Sequence, residues 1–190
     1  LKAPNSGGRF GSAVALSGDW LVVGVPKGWR PGTNWGIRNG MVYAYRLNGS
    51  QWSPAPANTI PLPSEDQYRA GELGATLGIS GDTLVIAAPR VTLRNEIARS
   101  LSDTGRVYTF TLDGVTQTWQ IEATLEMDQP YLMDVGSLFG STLSLGEEGR
   151  WLVIGAPGAD QSVSLDGDNQ FDIGRVFMYR VGGLGWTVTQ

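Results

Sequence analysis

Asp160, Asp166, Asp168 and Asp172 crowd into one short stretch, most of it Asp166-Gly-Asp168-Asn-Gln-Phe-Asp172. Carboxylates at alternating positions can converge on a hard cation such as Ca2+, which takes roughly six to eight oxygen ligands. The distal glutamate of a helix-loop-helix calcium loop is missing, so an acidic solvated turn is the competing reading. Other chemistry is narrowly bounded. The chain has no histidine and no cysteine, which removes Ser-His and Cys-His nucleophilic machinery, disulfides and thiolate metal sites. A glycosidase-type carboxylate pair would have to draw on Glu147 or Glu148. Both stand in a turn-like stretch where solvation keeps them ordinary acids, so the chain is not expected to be an enzyme.

A second group of residues suits binding. Trp29 and Trp35 lie in the polar segment Lys27–Asn39 beside Arg30 and Arg38. Tryptophan is enriched at binding hot spots and can stack on a sugar or a cation; folded back, either ring would be a lid on its own sheet. Segment Arg90–Thr104 carries Arg94 and Arg99, and Gly158–Ile173 carries the aspartates but no basic residue. One part of such a surface would be positive and another negative, an arrangement that orients a charged partner or a second copy. Charged solvated loops are the bland alternative.

These segments need a scaffold, and the sequence repeats one. Phe10-Gly-Ser-Ala-Val-Ala-Leu-Ser-Gly-Asp-Trp-Leu-Val-Val-Gly-Val-Pro26 is echoed from Leu73 to Pro89 and from Phe139 to Pro157. A glycine-led strand follows each time, at Gly40, Gly105 and Gly174, then a tryptophan at Trp52, Trp119 and Trp186. Ser12–Ser17 alternates small or polar with apolar residues, the period of a half-buried strand. Gly18-Asp19 and Gly81-Asp82 are two-residue hairpin signals. Leu21-Val-Val23 and Leu84-Val-Ile86 read as strands covered on both faces. Proline ends each run because it cannot donate to a ladder. Asn48-Gly49 marks a further turn, and a fourth strand follows the tryptophan, clearest at Trp119–Leu125. The prediction is an all-β chain of three four-stranded antiparallel repeats, divided as 1–52, 53–119 and 120–190, each a β-propeller blade. A sandwich or a solenoid would have similar strand content.

The Phe-Gly opening and the later Gly-Ala-Pro157 pattern resemble FG-GAP repeats, the blades of integrin α-subunit propellers. The bacterial-style variant is more similar still, through Phe10-Gly11, Val14-Ala-Leu-Ser-Gly-Asp19 and Val42-Tyr43. The resemblance runs through nearly the whole chain. It implies a propeller on a secreted or cell-surface protein, serving adhesion or scaffolding. Integrin-type repeats often place an Asp-rich calcium loop before the Gly-Ala-Pro strand, whereas here that place holds only Ser17-Gly-Asp19, Ser80-Gly-Asp82 and Gly146-Glu-Glu-Gly-Arg150. Calcium is not expected in those turns, and the aspartates of 160–172 are the one place left for it.

Three blades leave two open edges, so further blades are expected from a longer parent chain or from another copy. The end, Trp186–Gln190, read into the start, Leu1–Phe10, resembles one outer strand running into a repeat opening. The three long links between second and third strands should emerge on one face, where insertions in repeat proteins often bind. Protein or glycan is the expected partner; a structural block of a ring, filament or sheath and an accessory propeller of an enzyme are the alternatives. A net charge of −4 without a basic block argues against non-specific nucleic-acid binding, and no apolar run is long enough to span a bilayer as a helix. Asn48-Gly49-Ser50 fits the N-glycosylation pattern on an exposed turn.

Overall fold

The structure, a computed structural model, describes residues 1–4, 8–28, 39–60, 71–92, 103–127, 136–146, 148–159, 173–182 and 185–189. Among them are strands, turns and no helix. The first sheet contains β1 (Ala13–Ser17), β2 (Trp20–Val25) and β3 (Met41–Asn48), with the short β4 (Gln51–Trp52) and β5 (Asn58–Thr59) both paired to β3. The second runs β6 (Thr76–Ser80), β7 (Thr83–Ala88), β8 (Arg106–Leu112), β9 (Trp119–Leu125). The third runs β10 (Thr142–Gly146), β11 (Trp151–Ala156), β12 (Arg175–Gly182), β13 (Gly185–Val188). Every strand pairing is antiparallel, and strand order follows the chain.

The local signals act as their chemistry requires. Ser17 pairs with Trp20 and Ser80 with Thr83, closing two-residue hairpins over Gly18-Asp19 and Gly81-Asp82. The fourth strand of the first sheet departs from the simple expectation. Ser53 and Ala57 donate to Arg46 and Ala44 on β3 at 2.9 and 2.8 Å, but Pro54 and Pro56 stand between them. Proline has no N–H to give, so the strand splits into β4 and β5. The first sheet thus extends to Thr59 and the second to Leu125, each past its tryptophan.

The repeat is also a repeat of backbone geometry. Arg9, Glu72 and Leu138 hold φ of 65, 58 and 54°, each just before the Phe-Gly or Leu-Gly pair. Their carbonyls accept from Ser12, Ala75 and Ser141 at 3.2, 3.0 and 3.0 Å. The N–H of the residue after each strand-ending proline returns to Gly8, Gly71 and Ser137. Three chemically different residues therefore occupy one left-handed corner.

The sheets stack in chain order. Trp20, Val22, Val42 and Ala44 of the first meet Leu84, Ile86, Ala88, Tyr108 and Phe110 of the second in one core. The opposite face of the second sheet, Val85, Ala87 and Val107, packs on Leu152, Ile154, Ala156 and Tyr179 of the third. This is why β7 is buried on both faces, as its continuous apolar run predicts. Burying each large side chain here contributes about 1.5–3 kcal/mol before entropy is counted. The first strands lie closest: β6 touches β1 and β10, whereas β9 and β13 meet less extensively. Gly78 on β6 makes room for this approach, since a Cβ there would meet Leu143 Cδ1 at 2.9 Å.

β1 differs from the expectation for a half-buried strand. Its large apolar residues, Val14 and Leu16, are the exposed ones. They share a face with Val23 and Leu21, their register partners; among the described residues no sheet packs on that face, yet farther from the β1 edge Val23 is buried with Tyr43 and Tyr45.

Candidate functional site at the loop-bearing rim

Each long link leaves and returns at the same end of its sheet. Val25 pairs with Met41, Ala88 with Arg106, and Ala156 with Arg175, and these are the last registers before the links. Neighbouring sheets are tied together at that same end. Leu73 N–H donates to Asn39 at 3.0 Å, and Phe139 N–H donates to Thr104 at 2.9 Å. Leu138 N–H donates to Asp103 at 3.0 Å, and Gly40 bridges Leu73 in parallel. The residues from which the three links depart and to which they return therefore lie along one rim.

Side chains reinforce it. Thr104 Oγ1 donates to the Val91 carbonyl at 3.1 Å, and Ser137 Oγ donates to the Thr104 carbonyl at 3.2 Å, both buried. Above them runs a chain of charges. Glu72 takes an ion pair from Lys27 and, at 3.6 Å, one from Arg90, which reaches Asp103 at 3.2 Å. All four are partly exposed, so water and salt screen them and their value lies in ordering the rim more than in stability.

The sequence-predicted contact residues Trp29, Arg30, Trp35, Arg38, Arg94 and Arg99 lie outside the described residues. So do the aspartates Asp160, Asp166, Asp168 and Asp172, and Glu147. What the structure places is their footing: 29–38 stands on Gly28 and Asn39, 93–102 on Thr92 and Asp103, and 160–172 on Ala159 and Ile173. Asn48 is exposed at the end of β3, beside a turn at Gly49 with φ 63°. Glu148 is exposed.

The residues of the β1–β2 and β6–β7 turns do not fit calcium. Each turn offers one carboxylate, and the carbonyls of Asp19 and Asp82 already accept from Leu47 and Leu112 at 2.9 Å. Among the described residues no three acidic side chains come together at a metal-sized spacing, and no helix is long and apolar enough to cross a membrane. No protein-family model and no curated protein matches this chain.

Glu72 is the rim residue that sequence reasoning missed. Lys27, Arg90 and Asp103 are visible as loop charges, but Glu72 stands 45 residues from Lys27 in the chain. The available signal was its place immediately before Leu73-Gly74, the position that Arg9 holds before Phe10-Gly11.

Proposed function

We propose that the three sheets are consecutive blades of a β-propeller of the FG-GAP kind, and that the chain is an extracellular or cell-surface module binding protein or glycan through its loop-bearing rim. The observation that carries this reading is the common origin of the three long links at the tied ends of three stacked sheets. Successive face-to-face packing, with first strands closest, is what blades around an axis require. Long loops held side by side on a rigid scaffold are where binding residues concentrate. Trp29 and Trp35 supply rigid apolar area, Arg30, Arg38, Arg94 and Arg99 supply charge, and the aspartates of 160–172 supply the opposite sign.

Replacing residues 29–38 by a Gly/Ser linker of equal length tests this, with Trp29→Ala and Trp35→Ala as finer probes. Binding is read on a glycan array and on a panel of extracellular protein domains. A ligand held by the native chain should be lost on loop replacement while the far-UV circular dichroism stays unchanged. A ligand held equally by the loop-replaced chain overturns the rim as the binding surface.

A further inference from the structure

We propose that the outer face of the third sheet is a seat for a further sheet of this same repeat, one that opens on a Leu-Gly or Phe-Gly pair and carries a tryptophan at the head of its fourth strand; this rests on the blade reading above. The molecule already holds two occupied copies of the seat. Gly24 pairs with Val42, Ala87 with Val107 and Gly155 with Val176, so these pairs hold one position on successive sheets. On the first sheet that position receives Gly74, and on the second Gly140. A Cβ on either glycine would stand only 2.8 Å from Val42 Cγ2 or 2.9 Å from Val107 Cγ2. Val42 and Val107 are 0% exposed, whereas Val176 is 65% exposed. Among the described residues, Val176 and Met178 belong to no core cluster.

A left-handed glycine beside each pair repeats the contrast. A Cβ on Gly40 would meet the Leu73 carbonyl oxygen, and one on Gly105 that of Phe139, both at 2.2 Å. Gly174 is the third of this series, at φ 72°. Its nearest neighbours would be atoms of Pro157 in its own repeat, at 3.3 Å or more. Gly155, Gly174 and Val176 line an open groove of about 420 Å³ here, with Thr142, Ile173 and Arg175 beside them. Leu73-Gly74 and Phe139-Gly140 fill the corresponding place in the two inner interfaces.

The outer part of the same face narrows the occupant. Trp20 and Arg46 are register partners, and so are Trp151 and Arg180. In both pairs the guanidinium lies over the indole, 5.0 and 5.3 Å from the ring centroid. The second sheet has Thr83 and Thr111 at these positions. The third sheet therefore repeats the surface of the first. That surface is covered by the second sheet, whose Trp119 meets Trp20 edge-on at 5.7 Å and whose Gln117 side chain accepts from Arg46. A sheet built like the second brings an apolar-Gly pair to the groove, an indole edge to Trp151 and a side-chain carbonyl to Arg180. Edge-on rings and stacked guanidinium groups have directional preferences, so three such contacts at fixed spacing select this repeat over an unrelated apolar surface.

The test extends the full chain after Thr189 with a copy of residues 58–127. The junction reproduces an existing one: Ala57 N–H donates to Ala44, and Thr189 N–H donates to Met178 at the same position, both at 2.8 Å. Oxidation of Met178 by hydrogen peroxide, read by peptide mass spectrometry, reports the face, with buried Met41 and Met127 as standards. Met178, 41% exposed, should oxidise readily in the native chain, lose that reactivity in the extended chain, and regain it when the extended chain carries Val176→Glu. In the native chain Val176→Glu should leave the melting temperature nearly unchanged, because the site is exposed. A Met178 that stays reactive in the extended chain overturns the seat whether or not the added unit folds, since the same sequence folds on the first sheet in the same linkage. Protection that survives Val176→Glu puts the added unit elsewhere and overturns the seat as well. In both cases resistant Met41 and Met127 leave the blade reading standing. Standards that oxidise as fast as Met178 in the native chain overturn the stacked sheets, and the seat with them.

Discussion

Gly105 and Phe139 meet backbone to backbone: a Cβ on Gly105 would run into both the N and the carbonyl of Phe139. Gly105 also holds φ 88°, where an L side chain is strained regardless of space. This contact ties the second sheet to the third at the rim. Gly105→Ala should cost about 3 kcal/mol or more, combining left-handed strain with overpacking. Gly18→Ala is the control, because Gly18 has φ 52° but nothing within 4 Å, and should cost about 1 kcal/mol. Urea unfolding of both variants, with unchanged slope, is the measurement. Equal costs would show that the close approach contributes nothing.

Trp119 is buried on the outer part of the core between the first and second sheets, its ring 5.7 Å from that of Trp20 in an edge-on arrangement. Arg46 lies over the other ring, 5.0 Å from the Trp20 centroid. Trp119→Ala should destabilise by about 3–5 kcal/mol through lost burial and the cavity left behind. Chemical denaturation followed by circular dichroism reads this without depending on the deleted fluorophore. A cost below about 1 kcal/mol would mean that the sheets close over the gap.

Removing the central acid of the rim should do little to stability. Glu72→Gln leaves its backbone corner in place and breaks only partly exposed ion pairs, so the loss should stay below about 1 kcal/mol. It should shrink further in molar salt. Thermal melts at low and high ionic strength test both statements, and a large salt-independent loss would reveal a buried role.

Asp113 sets an acid-side dependence. Its carboxylate accepts from Thr116 N–H at 2.9 Å and Val115 N–H at 2.8 Å in the β8–β9 turn, and these bonds, Thr116 first, hold its pKa below the ordinary 3.8. A folded-state pKa below the unfolded value gives stability that is present above the unfolded pKa and lost as pH falls through the folded one. The gap in melting temperature between the native chain and Asp113→Ala should therefore be widest near about pH 6 and close toward about pH 2. A gap that does not vary with pH removes the carboxylate from the account. Tyr45 works in the opposite sense. Burial, then the neighbouring Tyr43, pushes its pKa above 10.0, so its contribution holds below that pH and disappears as pH rises through the folded value.

Much of the fold can be read from the residues alone. Gly18-Asp19 and Gly81-Asp82 specify hairpins by local turn chemistry, and Leu84-Val-Ile86 specifies a doubly covered strand by its unbroken apolar character. The split of the fourth strand is written in Pro54 and Pro56. The exposure of Val14 and Leu16 is not legible, because an alternating strand has the same pattern whether or not another sheet covers it. Nor is the pairing of Lys27 with Glu72, which exists only once two repeats are set side by side. The rim follows from where the strands end, but the roles of Trp29, Trp35 and the aspartates do not follow from strand pattern.

The left-handed corner shared by Arg9, Glu72 and Leu138 has an evolutionary consequence. The main chain there keeps its shape whether the side chain is cationic, anionic or aliphatic, so the charge at this corner can change without disturbing architecture. A lineage that duplicates this unit inherits an independently editable letter with each copy, and the three here are already spelled differently.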